Sequence, residues 1–298
     1  MSLKLITADD RLAESNSRMT GLIVGRPKVG KTSLLCTLPA DNTICLDFEA
    51  GMKSVQTWRG DSIAIRSWPD ALDIAVLLTG PDPSRDDNEP FSIAHYEHVL
   101  SEYTGKIDPA RYRTILCDSI TEVTRVAMEW AKRQPAAFSD RTGKPDVRGA
   151  YGLLGRSVIE LLKHMQRAPG KNVVFVAGLD RRVDDVGRET FEVQTEGAKT
   201  AAELPYIVDQ IITMSDFDYD TSTGSWTHNL GKGAYRAFVC RAPNPFGLPA
   251  GDRSGNLDMI EEPHLGRLIE KINRPSKTAS ERLQFTRPDA SPACTPTT

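Results

Sequence analysis

The chain has 298 residues, 39% of them hydrophobic and 26% charged, with a net charge of −3. That is enough for one large α/β domain, and the slightly acidic balance excludes a surface that is basic all over, so any nucleic-acid contact must come from a local patch. No apolar run approaches the roughly 20 residues of a membrane span, residues 1–20 lack a signal-peptide core, and five scattered cysteines without C-x-x-C spacing argue against a zinc site and for the reducing cytoplasm.

In chain order, residues 1–18 read as a flexible arm, 19–272 as one domain, and 273–298, rich in Pro, Ser and Thr, as a disordered tail. Thr20 to Val24 is an apolar strand, Lys31 to Leu38 a helix stopped before Pro39, and Thr43 to Asp47 a strand of the kind buried on both faces. A short strand at Ser62 to Ile65 and a helix at Pro69 to Leu78 follow. Gly80 to Asn88 reads as a surface loop before a helix at Ser92 to Tyr103, an insertion without a role visible in the sequence. Tyr112 to Cys117 is the next buried strand, then an amphipathic helix from Thr121 to Arg133 with Val123, Val126, Ala127 and Trp130 on one face. A polar loop, 134–149, precedes a long helix from Ala150 to Arg167. Asn172 to Leu179 is a third buried strand, and 180–199 reads as a polar, mobile loop. A helix at Ala201 to Val208 and a strand at Gln210 to Met214 come next. Turn chemistry over 217–224 predicts that Trp226 to Leu230 and Tyr235 to Cys240 pair as antiparallel edge strands. Pro263 to Ile272 is the closing amphipathic helix. Cys45, Cys117 and Cys240 sit in apolar runs as small buried thiols, and His164 and His228 read as structural.

The chemistry concentrates after the first strand, where Gly25-Arg26-Pro27-Lys28-Val29-Gly30-Lys31-Thr32 fits G-x-x-x-x-G-K-[ST] between a strand and a helix. Glycines at both ends let the backbone turn and aim successive N–H groups at a polyphosphate. Lys31 reaches the terminal phosphates, the Thr32 hydroxyl ligates Mg²⁺, and the helix from Ser33 onward presents its positive end. ATP and Mg²⁺ are therefore the expected ligands of residues 25–33. Hydrolysis also needs an acid at a strand end to hold Mg²⁺ and a base to orient water. Asp118, closing Arg113-Thr114-Ile115-Leu116-Cys117, has the form of the magnesium acid. Glu49 is the better candidate for the base, with Asp47 two residues earlier on the same strand face.

This succession, a strand into Gly-x4-Gly-Lys-Thr, a strand closing on Leu-Asp-Phe-Glu and a strand closing on Ile-Leu-Cys-Asp-Ser, resembles the RecA-type ATPase core. More narrowly it is similar to phage-encoded RecA-like nucleotide-binding proteins of single-strand annealing and recombination, a group that the segment from Leu248 to Asp258 with its closing helix also resembles. The resemblance covers roughly Thr20 to Ile272. It implies a mostly parallel central sheet flanked by helices, with an antiparallel edge hairpin near the C-terminal end. It also implies Glu49 as water-activating base, Asp118 as Mg²⁺ acid, Lys31 and Thr32 as cradle, and nucleotide held between subunits of a homo-oligomeric ring or filament. RecA-type cores carry a polar sensor, usually Gln, after the third strand, where this chain has Ala177-Gly178-Leu179-Asp180; Asp180 or Arg181 are the substitutes in sequence, and Lys199 the late lysine that could reach a neighbour's phosphate.

For single-stranded DNA the resemblance points to loops 134–149 and 180–200. The first carries Arg141, Lys144 and Arg148 against Asp140 and Asp146. The second offsets Arg181, Arg182, Arg188 and Lys199 with six acids, a poor balance for neutralising phosphates, and Phe138 and Phe191 are the available stacking aromatics. The leading expectation is a Mg²⁺-dependent ATPase acting on single-stranded DNA in phage recombination or replication, in the host cytoplasm. The alternatives are a P-loop phosphotransferase with Arg181, Arg182 and Arg188 as a lid, and a nucleotide-gated assembly protein with little turnover. No Asn-Lys-x-Asp motif points to guanine.

Overall fold

The structure, a computed structural model, describes residues 18–183, 185, 187 and 189–275, together with residues 5, 7 and 10. Most of the expected N-terminal arm and C-terminal tail thus lies outside the described residues.

Six strands form the parallel heart of the sheet. They are β1 (Thr20–Gly25), β2 (Thr43–Asp47), β3 (Asp61–Ala64), β4 (Thr114–Asp118), β5 (Asn172–Val183) and β7 (Gln210–Asp220). They lie in the order β7-β1-β5-β4-β2-β3. Every residue of β1, β2 and β4 is buried, as expected of strands covered on both faces that read as unbroken apolar runs. Antiparallel strands add to this heart: β6 (Glu189–Gln194) on β5, and β8 (Ser225–His228), β9 (Tyr235–Val239) and β10 (Gly251–Asp252) on β7. A last one, β11 (Ile260–Glu261), lies on β9. The class is the expected one, a mostly parallel α/β sheet flanked by helices with antiparallel strands toward the C-terminal end.

The helices divide between two faces. Leu22, Val24, Phe175 and Ala177 face one apolar layer. It is built by α1 (Trp68–Thr79), α2 (Ile93–Tyr103), α3 (Ile120–Ala131), α4 (Val147–Gln166) and α5 (Ala198–Ile207). Ile23, Cys45, Leu116, Val174 and Val176 face the other, covered by a 3₁₀ helix (Thr32–Thr37) and α6 (Leu265–Ile272). Alternation along a strand makes the consequence strict. Asp47, Asp118 and Gly178, two residues beyond Cys45, Leu116 and Val176, belong to this second face, the one that carries the phosphate-loop motif.

Three expectations are corrected. The segment after the loop is a six-residue 3₁₀ helix, not an α-helix over Lys31 to Leu38; β-branched Thr32 and Thr37 and the stop at Pro39 leave room only for a short, tight element. The polar stretch 180–199 is not a loop, because β5 runs on to Val183 and returns as β6. Four of its charges pair across the hairpin: Arg181 with Glu189 and Arg182 with Glu192, diagonal neighbours in that register. Finally, β8 and β9 do not pair together. Each pairs with β7, which continues through Phe217 to Asp220 because Phe217 and Tyr219 pack on Trp226. The turn waits until the Gly224 amide donates to the Asp220 carbonyl (2.8 Å).

The 80–103 insertion is sewn to the helical face opposite the motif. Phe91, 1% exposed, stacks on His164 with ring centroids 4.0 Å apart, and His95 Nε2 lies 2.9 Å from Asp73 Oδ1. Burial pushes the His164 imidazole down to about 4, so the ring is neutral at pH 7. The Thr79 hydroxyl spends its proton on the Ala75 carbonyl (2.8 Å); His164 Nε2–H therefore donates to it, at 2.8 Å. His164 is thus partnered within the fold, and His228 Nε2 likewise has a hydroxyl neighbour, Ser215 Oγ at 2.9 Å. Among the described residues no helix is long and apolar enough to cross a membrane.

Candidate functional site

The carboxyl ends of four neighbouring parallel strands, β1, β5, β4 and β2, meet beside the motif. In an open α/β sheet that edge is where ligands bind. Residues 26–31 leave β1 as a loop that curls through the left-handed region at Lys28 (φ 64°) and Gly30 (φ +105°). A side chain is strained at the second of these, which is the physical content of that glycine. The alternation of hand turns backbone amides toward one concave side, an anion-binding nest. The 3₁₀ helix behind it is only six residues long, so a long helix dipole does not point at this loop.

Lys31 folds back over the loop, its ammonium donating to the carbonyls of Gly25 (2.8 Å) and Arg26 (3.0 Å). Two of its three donors hold the loop, and among the described residues the third has no acceptor. Burial lowers its pKa, while the charges of Asp118 and Glu49 act to raise it. Thr32 Oγ1 donates to Asp118 Oδ2 at 2.6 Å, and Ser119 Oγ donates to Glu49 Oε1. Asp118 is 2% exposed, whereas Glu49 lies at the surface. The structure thus brings Lys31, Thr32, Asp118 and Glu49 to one place. It separates Asp47 from them in kind, since Asp47 Oδ1 accepts from the Gly51 amide at 3.0 Å and caps the turn beyond β2. Ala50, held at φ 58°, makes that turn.

Two partners of the loop escaped the sequence reading. Arg26 Nε donates to Asp216 Oδ2 on β7 at 2.8 Å, and that oxygen also accepts from the Gly231 amide at 3.1 Å, which ties the loop to the antiparallel extension. On β6, the Gln194 side chain lies over Gly178, where a Cβ would collide with its Oε1. The polar side chain that stands over residue 178 thus comes from the returning strand. Asp180 and Arg181 lie further out along the hairpin, and Lys199 packs against Gly155 of α4, on the helical face.

A divalent cation suits this corner by its donor chemistry. A threonine hydroxyl and a carboxylate stand side by side, all oxygen, with no imidazole or thiolate among them, and Mg²⁺ is held by one or two protein oxygens together with phosphates and water. Burial pushes the Asp118 carboxyl up to about 6, against the Thr32 hydrogen bond; the Glu49 charge adds to the rise and Lys31 opposes it. In metal-free protein the folded chain therefore holds this proton more tightly than the unfolded chain. Ionisation of Asp118 costs stability that is absent below pH about 4 and complete above pH about 6. Asp118→Asn is expected to stabilise the metal-free fold at pH 8 by on the order of 3 kcal/mol, with a smaller gain at pH 4.5. Denaturant titrations with chelator at the two pH values check this, and an equal gain at both would show that burial of the charge is not the cause.

A strand entering a glycine-cornered loop, with lysine and threonine at the loop's end and an aspartate on the next strand but one, defines a P-loop nucleotide-binding protein. A family model described as AAA domain matches residues 17–254, and the chain belongs to that family. A search of curated proteins finds no match. Among solved structures the chain is similar to the RadB recombinase, at 13% identity and a TM-score of 0.32 over 74% of this chain and 79% of that one. It is also similar to a prototypical ATPase of the type III secretion system of pathogenic bacteria, at 17% identity and a TM-score of 0.34 over 65% and 50% of the two chains. Both TM-scores are low, and neither likeness bears on function.

Proposed function

We propose that this chain is a Mg²⁺-dependent ATPase of RecA type whose turnover is coupled to single-stranded DNA. The observation that supports the reading best is the 2.6 Å contact between the Thr32 hydroxyl and the buried Asp118 carboxylate, with Lys31 and Glu49 beside it. In this reading the loop amides from 25 to 33 and the Lys31 ammonium neutralise the phosphates, and Thr32 with Asp118 would hold Mg²⁺, which supplies charge neutralisation on the phosphate oxygens. Glu49, free of the sheet and oriented by Ser119, takes the proton of the attacking water. Gln194 supplies the amide that senses the terminal phosphate and passes its state to the β5–β6 hairpin.

The phosphotransferase alternative loses support, because two of its three lid arginines, Arg181 and Arg182, are paired with the hairpin's own acids; the third, Arg188, lies outside the described residues. That pairing also makes the hairpin a weak DNA surface. Residues 134–149 suit DNA better. Among the described residues Arg141, Lys144 and Arg148 are exposed there without an ion-pair partner, and Phe138, 39% exposed, offers a stacking face. The phage recombination setting and a ring or filament of subunits come from the sequence resemblance alone. ATP turnover measured with and without single-stranded DNA across a salt series tests the reading. Stimulation that fades as salt rises, and that Gln194→Ala loses while basal turnover persists, is the expected result. Turnover indifferent to DNA at every salt would reject the DNA part and leave an assembly protein or a phosphotransferase.

A further inference from the structure

Strand β9 carries an arginine that the pairing of the sheet should have consumed. Arg236 stands directly opposite Asp216 in the antiparallel β7–β9 register, and opposite charges so placed normally bond across the strands. Here the Asp216 carboxylate is already taken. Its Oδ2 accepts from Arg26 Nε at 2.8 Å and from the Gly231 amide at 3.1 Å, and the Asp216 side chain is only 6% exposed. Among the described residues Arg236 has no ion pair. It stands two residues before Phe238 on β9, and Phe238 pairs with Met214 in the layer under the loop, so Arg236 lies on the phosphate-loop face of the sheet. Its guanidinium reaches the loop itself: a Cβ built on Gly30 would stand 3.1 Å from Arg236 Nη1 and 3.8 Å from Cζ. A guanidinium offers donors in a planar fork that matches phosphate oxygens two at a time. Without an ion pair among the described residues and set over the loop, it adds a second cation beside the one on Lys31.

We propose that Arg236 binds the phosphates of the nucleotide held by its own subunit's loop, closing over Gly30 from the side opposite Asp118. The Arg26–Asp216 bond is the device that makes this possible, because it occupies the carboxylate that would otherwise neutralise Arg236. This assignment rests on the ATPase reading of the same site and names a residue that the loop motif does not contain.

The test compares wild-type protein with Arg236→Met, which keeps the length and packing of the side chain, and Arg236→Lys, which restores the charge without the fork. Affinity for a slowly hydrolysed ATP analogue with Mg²⁺ is measured by calorimetry, alongside the melting temperature without nucleotide. Arg236→Met is expected to bind at least tenfold more weakly, with an unchanged nucleotide-free melting temperature and partial recovery in Arg236→Lys. Binding by Arg236→Met within twofold of wild type would overturn the assignment while leaving the ATPase reading in place. Wild-type protein that binds no nucleotide would sink that reading, and the assignment with it. Mixing Arg236→Met with Lys31→Ala subunits separates own-site from neighbour action: turnover regained in the mixture would place Arg236 at another subunit's phosphates and overturn the proposal as stated.

Discussion

Lys31→Ala is expected to weaken binding of the Mg²⁺–ATP complex by about two orders of magnitude, the size set by hydrogen bonds to charged groups at about 1.5–3 kcal/mol together with the tenfold change per 1.4 kcal/mol. Two effects add. The substitution removes the half-buried ammonium that the proposed function places against the phosphates, and it releases the carbonyls of Gly25 and Arg26, so the loop loses the bonds that hold its curl. The variant also leaves Asp118 and Glu49 without the nearest positive charge, which further disfavours a polyanion. A ligand that binds only the folded state stabilises it by about 2.7 kcal/mol at a hundred times its dissociation constant. Wild-type protein should therefore melt several degrees higher with Mg²⁺–ATP, and Lys31→Ala should show almost none of that rise. A full thermal shift in the variant would mean that nucleotide is held somewhere other than this loop.

What could be read from the sequence was whatever is local. The loop motif announces itself because a strand, two glycines, a lysine and a threonine are contiguous. Asp118 is visible because an unbroken apolar run ends on it. That these two would touch depends on strand order, with β5 inserted between β1 and β4, and the sequence reading reached it from the need for a strand-end acid and from resemblance, not from the order itself. Antiparallel pairing was harder still. The stretch 180–199 mixes charges of both signs and so looked like a solvated loop, yet four of those charges pair across the hairpin's two strands. Misreading that hairpin hid Gln194, whose place over Gly178 follows from register and from nothing in its neighbours. Asp216 and Arg236 were hidden in the same way. Neither belongs to a motif, and both reach the loop because β7 runs parallel to β1 and then pairs with β9. Positions that depend on which strand lies beside which leave no trace in a window of a dozen residues.

Glu49→Gln is expected to keep nucleotide binding and to lose hydrolysis by about 10²–10⁴-fold, the range for removing a positioned general base. The geometry separates binding from chemistry at this residue. Among the described residues Glu49 makes no hydrogen bond to the loop; it accepts from the Ser119 hydroxyl, on the residue after the buried aspartate. A glutamine can accept that same bond, so the side chain keeps its place while losing the ability to take a proton. Asp47, by contrast, is already committed to the Gly51 amide, and Asp47→Asn should alter the turn and the fold's stability more than the chemical step. The two substitutions discriminate between the acids that one strand end offers. Single-turnover measurement of phosphate release, paired with analogue affinity, decides it. Normal turnover by Glu49→Gln, with loss of turnover in a still-folded Asp47→Asn, would move the base two residues back along the strand.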